Sequence, residues 1–250
     1  MAAPVMAADL RVFADPRALA AAAAREVAQL LTTAVREHGS ASIALAGGRT
    51  PRDLYRCLAI DHHDVAWDRV LFYWGDERHV PHDDDRSNYR MAREALLDHV
   101  PVPPEHVHPM PTALGEPSEA AAQYERTLRS RFDTKWPRFD LVLLGIGDDG
   151  HTASLFAGSP ALEEATRWVV AATAPVAPHG RLTLTLPALA HATMIFVVVA
   201  GDSKADALRS ALGDRADPRC PASLIRTAPA PIVWWADARA AAHLTARISR

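Results

Sequence analysis

The amino-acid sequence predicts an α/β fold: a doubly wound, mostly parallel sheet with helices on both faces. Three observations predict it. The apolar runs within Ser42–Ala46, Val70–Trp74 and Asp140–Ile146 lack the alternation of a half-exposed strand and suit strands covered on both sides. Longer segments with helical spacing separate these runs, the order of a parallel sheet with crossover helices. Polar motifs bearing glycine or acid stand directly after all three, at the strand edge where ligands bind in open α/β sheets.

The elements follow in order. An opening strand covers Leu10–Phe13, and Asp15-Pro16 starts a helix that runs to about Glu37, the fixed φ of proline suiting a first turn. His38-Gly39 stops it. Strand Ser42–Ala46 leads through Gly47-Gly48-Arg49-Thr50 into a helix from Pro51 to about Ala59. Strand Val70–Trp74 follows, and Ser87-Asn88 caps a helix expected to reach His99. The stretch Pro101–Pro117 holds six prolines and reads as a loop, before a helix over Ser118–Phe132. Strand Asp140–Ile146 is the strongest buried run. Further strands are expected at Trp168–Ala171, Arg181–Leu186, Met194–Ala200 and Ile232–Trp235, with one helix after Asp202 and a short one after Asp237. No composition shift marks a second domain, so residues 1–250 are read as one.

Composition narrows the function. The 250 residues suffice for a substantial core, and 49% are apolar and spread along the chain. The formal charge of −3 comes from mixed acids and bases, with no basic block for nucleic acid and no acidic arm. Two cysteines, Cys57 and Cys220, make neither a disulfide framework nor a zinc ribbon and read as free thiols in a reducing compartment. The N-terminal stretch has no charged start followed by an apolar core. No segment approaches the roughly 18–20 apolar residues of a membrane span. A cytoplasmic protein is expected.

Three motifs carry the chemistry. In Gly47-Gly48-Arg49-Thr50-Pro51, paired glycines allow a tight turn and a close backbone approach, and the helix behind aims free N–H groups and its positive end at the loop. This suits a phosphate, although taken alone the loop also reads as an ordinary strand-to-helix turn. The second motif, Asp76-Glu77-Arg78-His79-Val80-Pro81, is suited to sugar hydroxyls, with Asp76 at the strand edge. Asp83–Asp85 behind it read as a solvated charge run. In the third, Gly145-Ile146-Gly147-Asp148-Asp149-Gly150-His151-Thr152-Ala153-Ser154-Leu155-Phe156, glycines open space at a strand end. There His151 is a proton-transfer group, and Asp149, two residues away, orients it or binds a hydroxyl. Of the 12 histidines, His62, His63, His99, His106 and His108 read as structural.

In this order and spacing, GGRTP, DERHVP followed by SN, and LGIGDDGHTASLF resemble the 6-phosphogluconolactonase family over most of the chain. The resemblance implies a fold like that of the glucosamine-6-phosphate isomerases and hydrolysis of 6-phospho-D-glucono-1,5-lactone to 6-phospho-D-gluconate in the pentose phosphate pathway. It implies no cofactor and no required metal. It also brings Arg181, in RLTLTLPAL, and Lys204, in AGDSKADAL, forward as phosphate-binding positions. The sequence departs from the family at Arg49, where serine is common, and at Ala157, where Leu-Phe-Pro-Gly is usual.

The mechanism expected on this basis seats the substrate phosphate on Gly47, Gly48, Thr50, Arg181 and Lys204, with Arg49 a further candidate. His151 takes a proton from the attacking water and returns one to the ring oxygen, while Asp76 and Asp149 hold hydroxyls or orient His151. The oxyanion donor is either Arg78 or a backbone N–H of the glycine-rich turns. No Gly-x-Ser-x-Gly elbow offers a serine nucleophile. The expected partner is a small-molecule sugar-phosphate lactone, with no nucleic acid and no membrane, and the expected state is a monomer or weak homo-oligomer. Two alternatives compete. An aldose–ketose isomerase or deaminase acting on glucosamine 6-phosphate would share the fold, but Thr152–Phe156 has the lactonase form and the Asn-Glu pair of the isomerases is absent. A non-catalytic sugar-phosphate sensor would need an interaction module, for which this length leaves no room.

Overall fold

The computed structural model describes residues 9–113 and 115–244. Residues 1–8 of the N-terminal stretch weighed above, which reads as lacking a leader pattern, lie outside the described residues. Strand β1 (Asp9–Phe13) leads into helix α1 (Pro16–His38), whose start and stop follow the local chemistry. The Asp15 side chain accepts from Ala18 N at 2.8 Å, Pro16 holds the first turn, and Gly39 closes the helix at φ 80. The buried face of α1, from Leu19 through Ala23, Val27 and Leu31 to Ala34, recurs at helical spacing, and its alanines permit close packing on the sheet.

Next come β2 (Ala41–Leu45), α2 (Arg49–Asp61), β3 (Val70–Trp74) and a short β4 (Asp76–Arg78). Helix α3 (Asn88–Ala95) gives way to a 3-10 turn at Leu97–His99, so the helix expected to reach His99 is broken at Leu96. Helix α4 (Pro117–Arg129) precedes β5 (Leu141–Leu144), β6 (Val169–Thr173) and β7 (Gly180–Leu184). Leu186–Ala190, expected to begin as strand, is a short helix, α5, with Pro187 in its first turn. Strand β8 (Ile195–Val199), helices α6 (Ala205–Ala211) and α7 (Pro221–Leu224), and β9 (Ile232–Asp237) complete the chain. After Asp237 the described residues form turns rather than the short helix expected there.

Six strands form a parallel sheet in the order β1-β9-β8-β5-β2-β3. From β1 to β2 to β3 the chain travels towards one edge. From β5 to β8 to β9 it travels towards the other. Right-handed crossovers then place α1 and α2 on one face and α6 and α7 on the opposite face. The β2–β5 boundary is the switch point, where an open α/β sheet leaves a crevice at its carboxyl edge.

The strands at 169–173 and 180–184 do not join this sheet. They form an antiparallel sheet of three, ordered β4-β7-β6. Gly75 joins the two sheets: its N–H donates to Leu45 O at 2.9 Å, and its own carbonyl accepts from Leu184 N at 2.8 Å. One hydrophobic core runs through both, including Leu143 and Phe196 of the large sheet and Leu182 and Leu184 of the small one. Among the described residues no helix is long and apolar enough to cross a membrane.

Within this core one buried hydroxyl serves two backbone groups. The Tyr124 hydroxyl accepts from Trp74 N at 2.9 Å and donates to His108 O at 3.2 Å, tying α4 to β3. Tyr124→Phe should orphan both backbone groups and lower stability by about 1–3 kcal/mol in urea denaturation, since unpaired buried donors and acceptors carry their full desolvation cost.

Candidate active site

The carboxyl ends of β2, β3 and β5 surround a cavity of ≈ 250 Å³. Its wall includes Gly47 and Gly48 after β2, Asp76 and Arg78 after β3, Gly145, Gly147 and His151 after β5, and Lys204 beyond β8. A second hollow of ≈ 310 Å³ shares Gly47, Gly48, Gly145 and Lys204 with the first and adds Arg49 and Thr50. The two form one cleft with a cationic, glycine-rich end and an end that carries the histidine and acids.

At the glycine end, Gly48 has φ 102 and stands at the N-cap of α2 without a side-chain cap, so the first N–H groups of the helix are left for a ligand. The Tyr55 hydroxyl pins the loop from behind, accepting from Ala46 N and donating to Ala46 O, both at 2.9 Å. Gly47 has no room for a side chain: a Cβ there would lie 2.0 Å from Asn88 Oδ1. Lys204 Nζ reaches Asp148 Oδ1 at 2.6 Å, and Ser203 Oγ donates to the same oxygen at 3.1 Å. The bond from Lys204 holds the Asp148 carboxyl below its ordinary pKa.

At the other end, His151 Nδ1 lies 2.5 Å from Asp149 Oδ1. A carboxylate at that position accepts a hydrogen bond from Nδ1–H, which keeps the proton on Nδ1 and leaves Nε2 with its lone pair, the tautomer of a base. Burial raises the Asp149 pKa, but the hydrogen bond and charge of His151 outweigh it, and the net shift is downward. The imidazole packs against Phe156, ring centroids 4.7 Å apart. Gly147 is required here, since a Cβ would sit 2.0 Å from His151 Nδ1. Ala153, also at the cavity, has φ 47, a strained value for a residue with a side chain. The turn it makes presents Ser154, whose Oγ donates to Asp76 Oδ2 at 2.7 Å.

The cleft therefore gathers His151, Asp76, Arg78, Gly47, Gly48, Arg49, Thr50 and Lys204, with Asp149 held against His151. It does not gather Arg181. That residue lies on β7 directly across from Arg78 and lines neither part of the cleft. Its guanidinium is buried, Nη1 has no partner among the described residues, and burial and the Arg78 charge lower its pKa. Antiparallel strand pairing puts opposed side chains on one face, so Arg181 adds positive potential beside Arg78. Among the described residues no cluster of His, Cys, Asp or Glu is placed to hold a metal ion.

A family profile described as glucosamine-6-phosphate isomerases/6-phosphogluconolactonase matches residues 14–234. The chain belongs to this family. A 6-phosphogluconolactonase of Synechocystis sp. is 42% identical over 218 residues, covering 86% of this chain and 89% of the relative. The solved structure of 6-phosphogluconolactonase from Trypanosoma cruzi superposes with a TM-score of 0.86 at 30% identity, covering 95% of this chain and 97% of the other. A monomeric glucosamine-6-phosphate deaminase shares the fold at a TM-score of 0.81 and 23% identity, over 94% of this chain and 99% of that one.

Within this family member, sequence reasoning passed over one residue of the cleft and one that braces it. Asn88, read as part of a helix cap, lines the cavity. Glu77, flanked by two predicted site residues, turns the opposite way. Strand alternation is the signal that separates them, since Asp76 and Arg78 share one face of β4 and Glu77 takes the other. Its buried carboxylate accepts from Asn88 N and Tyr89 N at 2.7 Å, from Arg78 N at 2.8 Å and from Ser87 Oγ at 3.1 Å. Burial pushes its pKa up to about 7, against the backbone N–H groups that lower it.

Two expectations follow. In the unfolded chain Glu77 ionises near 4.5, and in the fold only near 7. Its protonated folded form therefore contributes stability below the lower value, and that contribution is lost as pH rises through the window. Urea midpoints should fall across it with a slope from this group of at most about 1.4 kcal/mol per pH unit, and Glu77→Gln should remove that component. Gly147→Ala should push His151 off Asp149, and the hydrogen-bonded Nδ1 proton should vanish from the proton NMR spectrum.

Proposed function

We propose that the chain hydrolyses 6-phospho-D-glucono-1,5-lactone to 6-phospho-D-gluconate with His151 as general base. The observation that carries this reading is the single cleft in which an Asp-held imidazole and a cationic, glycine-lined hollow share walls, because a phosphorylated lactone needs both at once. The names of the relatives agree with it.

In this mechanism the phosphate dianion sits on the N–H groups at Gly48 and the start of α2, with the Thr50 hydroxyl, Lys204 and Arg49 around it. Lys204 exchanges its bond to Asp148 for one to phosphate. Anchoring the phosphate sets the ring along the cleft and brings the C1 carbonyl towards His151. His151 Nε2 takes a proton from water as its oxygen bonds to C1. The carbonyl electrons move onto oxygen, and Arg78, with the field of Arg181 behind it, faces that developing charge. Collapse of the intermediate breaks the bond from C1 to the ring oxygen, which receives the proton from His151. The new acid ionises and releases one proton to solvent. Asp76, fixed by Ser154, keeps an oxygen for a sugar hydroxyl.

No serine or cysteine need take part as nucleophile, and Cys220 is buried behind Gly150 and does not line the cleft. Arg181 supports charge in this scheme and does not grip phosphate, a revision of its expected role. A cytoplasmic location, a monomeric or weakly associating state and a lack of nucleic-acid partners belong to the same reading.

The test offers fresh lactone and follows acid release above the spontaneous rate. His151→Ala should cut kcat by about 10²–10⁴-fold, the ordinary worth of a general base, with the circular dichroism melt unchanged. Lys204→Ala should act chiefly on KM. An undiminished rate in the His151 variant would remove it from the role of base.

A further inference from the structure

Asn88 is the first residue of α3 and is 1% exposed, yet its side chain forms part of the cavity wall. Three contacts fix it. Its backbone N–H donates to Glu77 Oε1 at 2.7 Å, its Nδ2 donates to Asp76 O at 3.0 Å, and its amide occupies the space above Gly47 where any side chain would clash. The bond to a backbone carbonyl identifies which end of the amide is nitrogen, because a carbonyl only accepts. Oδ1 is therefore the atom left over. It accepts no hydrogen bond from the described residues and lies at the cavity between the phosphate-side loop and Asp76.

Holding a polar amide in such a place carries a desolvation cost that an apolar residue of similar size would avoid. The cost is offset when a ligand supplies the missing donor. Phosphate and carbonyl oxygens only accept, so neither suits Oδ1. A sugar hydroxyl donates. We propose that Asn88 is a specificity-determining residue whose Oδ1 accepts a hydrogen bond from a ring hydroxyl of the bound sugar phosphate. This rests on the function proposed above and adds a substrate contact to it. Glu77 plays the supporting part: by receiving the N–H groups of Asn88 and Tyr89 and the Ser87 hydroxyl, it fixes the first turn of α3 and so the height of the amide over Gly47. The arrangement selects for a hydroxylated ring, since a site with a waiting acceptor disfavours an analogue that leaves it unpaired.

The experiment measures kcat/KM, corrected for spontaneous opening, on 6-phosphoglucono-δ-lactone and on its 2-deoxy, 3-deoxy and 4-deoxy counterparts. Wild type and Asn88→Ala are compared, with Asn88→Ser as a second variant should the alanine form melt early. On the parent lactone the variant should lose about 10–100-fold, the range for an orphaned hydrogen-bond partner. On one deoxy lactone that loss should shrink to about 3-fold or less, because the hydroxyl that Asn88 meets is already gone. Equal losses on all four lactones would overturn the assignment and leave Asn88 as a brace for the loop. A wild type that fails to accelerate opening of the parent lactone would instead overturn the function itself, and this contact with it.

Discussion

The site depends on β2 and β5 lying side by side. Ser42 and Asp140, 98 residues apart in sequence, meet at the amino end of this pair, where the Asp140 carboxylate accepts from both Ser42 N and Ser42 Oγ at 2.7 Å. At the other end the two chains part: β2 runs into the Gly47 loop and β5 into the Gly145 loop. Because the strands are parallel and in register, both loops emerge at the same edge, with nothing but the divergence of their crossovers between them. The glycine loop and the loop that carries His151 are thereby brought to one edge by the pairing of these two strands.

Around that crevice the protein invests in fixed geometry. Tyr55 clamps Ala46, Ser154 clamps Asp76, Asp149 clamps His151, and Glu77 clamps the turn that carries Asn88. Tyr55, Ser154 and Glu77 are buried polar groups, costly unless paired, and each ties its own segment to another, whereas Asp149 and His151 are fixed within one loop. Ala153 bears backbone strain in the same region. Such features suit a site in which catalysis comes from orientation more than from a strongly reactive nucleophile.

Five of the six parallel strands were legible because burial leaves an unbroken apolar run, and Asp15-Pro16 and His38-Gly39 marked α1 by their own cap chemistry. The antiparallel sheet was not legible. Asp76-Glu77-Arg78 carries no apolar signal, and its strand character comes from pairing with β7, more than a hundred residues away. In the site, Lys204 came forward only through the family resemblance, but the glycines, His151, Asp76 and Arg78 could be placed because each lies close behind a strand. Arg181 could not, because its strand belongs to the second sheet. Asn88 was hidden for a different reason: it belongs to a helix start far from any strand end, and only the bare Cα of Gly47 reveals what it packs against.

The bond between Lys204 and Asp148 joins the segment after β8 to the segment after β5, and β8 itself is held between β5 and β9. While the chain leaves the ribosome, the glycine loop, the acids and the imidazole all appear before this lysine does. A partly synthesised chain would thus own most of the cleft wall and still lack the lysine that lines it. The cleft wall is therefore complete only once β8 is seated between β5 and β9, after the loops behind β2, β3 and β5 have been made.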